Sequence, residues 1–215
     1  MPEPIEFDTA DDFKNYVLDN KATLDAMYSS KNNKSTEDIA ETAVGQNTYR
    51  GIYGFTDVGG PKHIFTRWAR DALNREAFTI ASLHSHPKYD QWLESFADDL
   101  RSSWPRRTED GERINYGQSR KLTNLLLRQC LFWNRIDDDE RKRLLSLLHV
   151  PLDEYVLVAL RKTLASSYGI RLGAQPGMSS VTDKSMYAII QRAIRDIAQS
   201  ASVPPIYLDV WPLMH

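Results

Sequence analysis

From residue 8 to residue 200 the chain repeatedly sets apolar side chains three and four positions apart, and the runs are divided by Pro, Gly and polar clusters. That period places them on one face of a helix, whereas a half-buried strand needs strict alternation. The sequence therefore predicts a mainly α fold. Phe13, Tyr16, Val17, Leu24 and Met27 mark a first helix over 8–30, and KNNKST is a loop. Ser35 or Thr36 caps a second helical piece, STEDIAETAV. The glycine-rich GQNTYRGIYGFTDVGGPKH reads as irregular or as a short hairpin near 46–60. Helices follow over IFTRWARDALNREAFTIASL and over SHPKYDQWLESFADDLRSSW, the latter capped at Ser85, with Pro87 in its first turn and Pro105 ending it.

Beyond the polar loop PRRTEDGERIN comes a helix with the stripe Leu122, Leu125, Leu126, Cys130 and Trp133. The acidic turn IDDDE leads to RKRLLSLL; Pro151 then breaks the chain before a helix whose first turn holds Asp153. A loop from Tyr168 to Ser180 precedes the amphipathic TDKSMYAIIQRAIRDIAQSA and the tail VPPIYLDVWPLMH.

At 215 residues and 41% hydrophobic content the chain can bury one sizeable core, read as a single globular unit. It holds no apolar run of membrane-spanning length, and its acidic first residues lack a signal-peptide pattern, so a soluble, intracellular, cytoplasmic monomer is expected. Its one cysteine, Cys130, lies among leucines and reads as a buried thiol, which excludes an intrachain disulfide and a four-cysteine metal site. The net charge of -2 argues against a polycationic nucleic-acid binder, yet the middle of the chain is locally basic, with Arg106, Arg107, Arg113, Arg120 and Lys121 close together.

Two constellations carry possible chemistry. His84 and His86 in H-S-H-P, with Ser95 and Asp98 downstream, are similar to the metal motif of the JAMM isopeptidases. Here Ser95 and Asp98 stand nine and twelve positions after His86, one residue beyond the family's spacing, and they lie on an amphipathic helix instead of in a strand-rich domain. No metal and no organic cofactor is expected.

The second joins INYGQSRKLTN to HVPLDEYVL. Lys121 sits near the start of a helix, where unpaired N–H groups favour anions, so a cation there is locally disfavoured. Asp153 follows 32 positions later at the start of another helix, and two antiparallel helices would bring both ends together. A lysine amine near the positive end of a helix and partly out of water yields its proton more readily, while an aspartate there is held as the anion. An amine beside a fixed carboxylate suits attack on a glycosidic carbon, since the carboxylate stabilises the oxocarbenium-like charge at C1′.

YGQSRK followed at this distance by HVPLD resembles the lysine and aspartate of the helix-hairpin-helix DNA glycosylases, in particular the archaeal-type 8-oxoguanine DNA glycosylases, and VPPIYLDVW resembles that family's closing segment. The resemblance covers roughly 112–215, a glycosylase-like catalytic part, and leaves 1–110 as a helical part with no family assigned. A G-x-G hairpin before the lysine is replaced by a lone Gly117. The resemblance implies a helix-hairpin-helix glycosylase fold and excision of a damaged or modified base from double-stranded DNA by Lys121 and Asp153. Tyr116, Gln118, Asp209 and Trp211 would meet the flipped base, and Arg106, Arg107, Arg113 and Arg120 the phosphates. The base would be 8-oxoguanine or another modified base, such as a hypermodified base of viral DNA, and the setting DNA repair or antiviral defence. A catalytically silent helical module that binds DNA or a protein is the alternative from another class.

Overall fold

A computed structural model describes residues 3–29, 33–49, 52, 59–105 and 114–209. Ten α-helices are present among them: α1 Ala10–Asp19, α2 Lys21–Ser29, α3 Thr36–Thr42, α4 Gln46–Tyr49, α5 Gly60–Ser82, α6 His86–Ser103, α7 Tyr116–Gln129, α8 Asp138–Leu147, α9 Glu154–Ser167 and α10 Lys184–Ser200. Short 3-10 turns lie at Cys130–Phe132, Met178–Ser180 and Pro205–Leu208. The described residues include no strand, only an isolated parallel bridge between Lys34 and Trp133. None of the described helices is long and apolar enough to cross a membrane. The mainly α class read from periodicity is therefore the class observed.

Local chemistry explains where the helices stop and start. The single helix expected over 8–30 is two, because the Asn20 side-chain amide donates to the Tyr16 carbonyl at 2.8 Å and turns the chain between α1 and α2. Thr9 with Asp12, and Ser35 with Asp38, form reciprocal capping boxes at the heads of α1 and α3. In place of the first strand of a hairpin at 46–60 stands the short helix α4; residues 53–58 lie outside the described part.

The chain falls into two compact units, and neither is continuous in sequence. Unit 1 comprises residues 1–30, 116–121 and 148–215; unit 2 comprises 31–115 and 122–147.

In unit 2, α5 is the element on which α3, α4, α6 and α8 pack. Its Trp68 ring lies 5.0 Å from Phe96 of α6, and the Trp68 indole N–H donates to Asp99 at 2.8 Å, so the ring is buried without orphaning its polar atom. Trp133 is fully buried and donates to Thr36, and Cys130 is fully buried, which pushes its thiol well above the ordinary range, as suits an inert core residue.

In unit 1, α1 packs on α9 and α10, and Phe13 and Val17 of α1 are fully buried, as are Val156, Leu160 and Leu164 of α9 and Ile190 and Ile194 of α10. The N-terminal segment is strapped to α9 by Glu6 on Arg161 and Asp8 on Lys162, with Phe7 stacked 4.8 Å from Phe13. The 3-10 turn Pro205–Leu208 is tied down by the Tyr207 hydroxyl, which donates to Asp25 at 2.8 Å. Lys21 also donates to Asp25, and these two hydrogen bonds hold its carboxyl below the ordinary aspartate range. A depressed carboxyl adds stability above its unfolded value, and that contribution is lost as pH falls through the folded one. Melting temperatures of wild type and Asp25→Asn should therefore differ at pH 7, begin to converge as pH falls below about 4, the unfolded aspartate value, and meet once pH is below the lowered folded value. A gap that is constant from pH 7 to pH 2 would mean that the carboxylate charge plays no part.

Candidate functional site: a lysine–aspartate pair in unit 1

Asp153 is the N-cap of α9. Pro151 cannot continue a helix from the preceding segment, and Asp153 itself is extended, with φ -124° and ψ -176°, so its side chain folds over the first turn. Its Oδ1 accepts from the Val156 amide at 3.2 Å. Its other oxygen, Oδ2, stands 3.7 Å from Nζ of Lys121, the sixth residue of α7. The two side chains are only 13% and 16% exposed, so the pair is largely out of water. Oδ1 is thus used for structure while Oδ2 faces the amine, and a substrate atom entering here would meet both reactive groups at once. The lysine that looked misplaced at a helix start is balanced by a carboxylate from far along the chain.

Gly117 lets α7 approach the segment before α10. A Cβ at this position would collide with the Met178 carbonyl oxygen and lie 2.8 Å from that of Val181. The lone glycine left where a G-x-G hairpin was sought therefore serves close backbone packing.

Arg120 is enclosed within unit 1. It is 2% exposed, with its guanidinium carbon 4.9 Å from the Tyr116 ring centre and 5.2 Å from that of Tyr187. The Arg120 guanidinium is thus stacked between two aromatic faces. Tyr116 is half-buried and meets Tyr187 edge-on at 6.0 Å, so its ring is engaged within the unit. Gln118 and Asp209 are buried at 5% and 1% exposure; Asp209 closes the last 3-10 turn, its amide donating to the Ile206 carbonyl. Arg106, Arg107, Arg113 and Trp211 lie outside the described residues.

No family model, curated protein or solved structure matches the chain.

Among the described residues no group of three or more His, Cys, Asp or Glu could hold a metal ion. His84 Nδ1 is 2.8 Å from a guanidinium nitrogen of Arg143, which only donates, so that lone pair is already occupied. A depression of about 340 Å³ in unit 2 is lined by Arg70, Asn74, Asn134 and Arg135 among others, but Glu37 holds Arg70 and none of the expected site residues lines it.

Sequence reasoning missed His149, Tyr187, Gln191 and Arg195. His149 Nδ1 lies 2.9 Å from the Tyr187 hydroxyl and its Nε2 3.1 Å from Arg195. Gln191 is 1% exposed and pairs with the backbone of Val150 in both directions, accepting from its N–H at 3.2 Å and donating to its carbonyl at 2.8 Å. The one signal is a glutamine on the apolar face of a strongly amphipathic helix, which marks Gln191 as buried but does not name its partner.

Proposed function

We propose that this chain is a DNA N-glycosylase with AP-lyase activity, a divergent member of the helix-hairpin-helix glycosylases, acting as a monomer on double-stranded DNA that carries a damaged or modified base. The observation that carries the reading is the 3.7 Å approach of Lys121, in the second turn of α7, to Asp153, the N-cap of α9, from positions 32 residues apart. The resemblance implies a lysine and an aspartate in this order, and the short separation supports the reading.

In this reading Lys121, after losing a proton, attacks C1′ of an extruded nucleotide. The C1′–N bond breaks, and the base leaves with the electron pair and takes up a proton. Asp153 stabilises the positive charge that grows on C1′ and O4′ as that bond lengthens. Opening of the sugar ring gives a C1′ imine with Lys121, and loss of a C2′ proton then expels the 3′-phosphate, which is the lyase step.

The test is a panel of duplexes, each with one modified base, 8-oxoguanine and bulky pyrimidines included, incubated with the protein and scored for alkali-labile sites. Parallel samples receive borohydride, which reduces an imine to a stable amine and leaves protein linked to DNA. Abasic product and an adduct on at least one modified duplex, with none on the unmodified one, is the expected result. Salt-dependent binding across the whole panel with neither product would overturn the enzyme reading in favour of a silent binding module. The base that reacts separates repair of oxidised guanine from attack on modified viral DNA.

A further inference from the structure

Tyr187, Gln191 and Arg195 recur every four residues along α10 and so form one stripe on that helix. All three reach the same target, the residues leading into the Val-Pro-Leu turn. Gln191 grips both backbone polar groups of Val150. Tyr187 and Arg195 hold His149 from its two ring nitrogens. Because a guanidinium only donates, Nε2 is the accepting nitrogen and Nδ1–H donates to the Tyr187 oxygen, which fixes the imidazole as a single neutral tautomer. Tyr187 has a second role: its ring lies 5.2 Å from the Arg120 guanidinium, and Arg120 directly precedes Lys121.

We infer that the Tyr187–Gln191–Arg195 stripe of α10 is a positioning element that sets the Lys121–Asp153 separation, with Gln191 and Tyr187 as its two main positioning residues. The stripe touches the chain three and four residues before the aspartate and one residue before the lysine, and does so through directed hydrogen bonds and a stacked cation. Apolar packing alone would bury α10 equally well with an aliphatic residue at 191. An amide there adds nothing to burial and instead fixes the register of a segment whose Pro151 leaves it without helical hydrogen bonds.

The inference rests on the proposed glycosylase reading only for its kinetic consequence, and two measurements keep the two apart. The first needs no substrate. In protein carrying lysine labelled with 13C at Cε, the Lys121 resonance is assigned by its loss in Lys121→Arg. Asp153→Asn shifts that resonance by removing the facing carboxylate. Gln191→Met, of similar shape but without either hydrogen bond, and Tyr187→Phe, which removes one oxygen, should each shift it in the same direction. Ile197→Val, a core truncation on the same helix, should leave it in place even where it lowers the melting temperature as much. An unmoved Lys121 resonance in folded Gln191→Met or in Tyr187→Phe overturns the inference, whatever the protein does to DNA; Tyr187→Phe keeps its bulk and decides the matter if Gln191→Met does not fold.

The second measurement uses the duplex that reacts in the panel. Single-turnover base release should fall roughly 10- to 100-fold in Gln191→Met, as expected for a displacement of about 1 Å between reacting groups. Duplex affinity should stay within about threefold, because uniform binding is untouched. A loss of affinity equal to the loss of rate would instead mark α10 as a general stability element and overturn the inference. A wild-type protein that releases no base refutes the glycosylase reading and leaves the resonance experiment to decide the positioning role.

Discussion

Lys121→Gln should yield no borohydride-trapped adduct at all, and Asp153→Asn should still bind duplex while releasing base roughly 10²- to 10³-fold more slowly, the usual consequence of removing one directed electrostatic group from a transition state. The two variants separate because the side chains have different tasks. Glutamine has no nucleophilic nitrogen, so the imine cannot form and nothing remains for borohydride to reduce. Asparagine keeps an oxygen that can accept from the Val156 amide, and it caps helices about as well as aspartate, so α9 should stay capped. What it loses is the charge on the oxygen 3.7 Å from Nζ. Melting temperature should therefore change little in Asp153→Asn while turnover collapses. Turnover that survives Asp153→Asn, or an adduct that persists in Lys121→Gln, would remove the respective residue from the mechanism. Loss of turnover in parallel with unfolding would show that Asp153 acts through the fold alone.

The helical class and most element positions were legible because apolar spacing, prolines and caps are local. Ser35 and Ser85 stand at the helix ends where local rules put them, and Pro151 lies in the break between α8 and α9. The boundary at Asn20 was missed because a helix-length apolar pattern crosses it, and a single side-chain amide outweighs that pattern. The two units were not legible at all. Residues 116–121 belong with 148–215, and no composition shift marks a unit assembled from separated stretches. The site shows the same division. Lys121 and Asp153 could be paired from sequence, since a cation at a helix start and an aspartate after a proline are each informative by position. Arg120 could not be told from a surface arginine, because its burial depends on Tyr187, 67 positions away. Gln191 was hidden for the same reason: its partner is the backbone of Val150, which has no sequence signature.

Gly117→Ala should cost about 1–3 kcal/mol, the usual range for overpacking a closed site, even though alanine is the better helix former by about 1 kcal/mol. The balance is decided by what the new methyl meets. Gly117 is the second residue of α7 and has no positive φ to relieve, so conformational freedom is not why glycine stands there. The atoms in the way are backbone carbonyl oxygens of Met178 and Val181, and backbone cannot rotate aside as a side-chain end can. Met178 lies in a 3-10 turn closed by the Ser180 amide donating to Gly177 at 2.8 Å and by the Gly177 amide donating to the Ser180 hydroxyl at 3.1 Å. The other boundary of that segment is the Asp183 cap of α10. Either this turn opens or the head of α7 moves away from it. For a domain of this size the cost corresponds to a fall in melting temperature of roughly 2–4 °C per kcal/mol. Because Lys121 lies about one turn further along α7, movement of the helix head should also slow base release, whereas opening of the 178–180 turn should not. Calorimetry and single-turnover rates on the one variant therefore report which side yields. A melting temperature that is unchanged or raised would show that the close approach of α7 to Met178 is not a constraint on the fold.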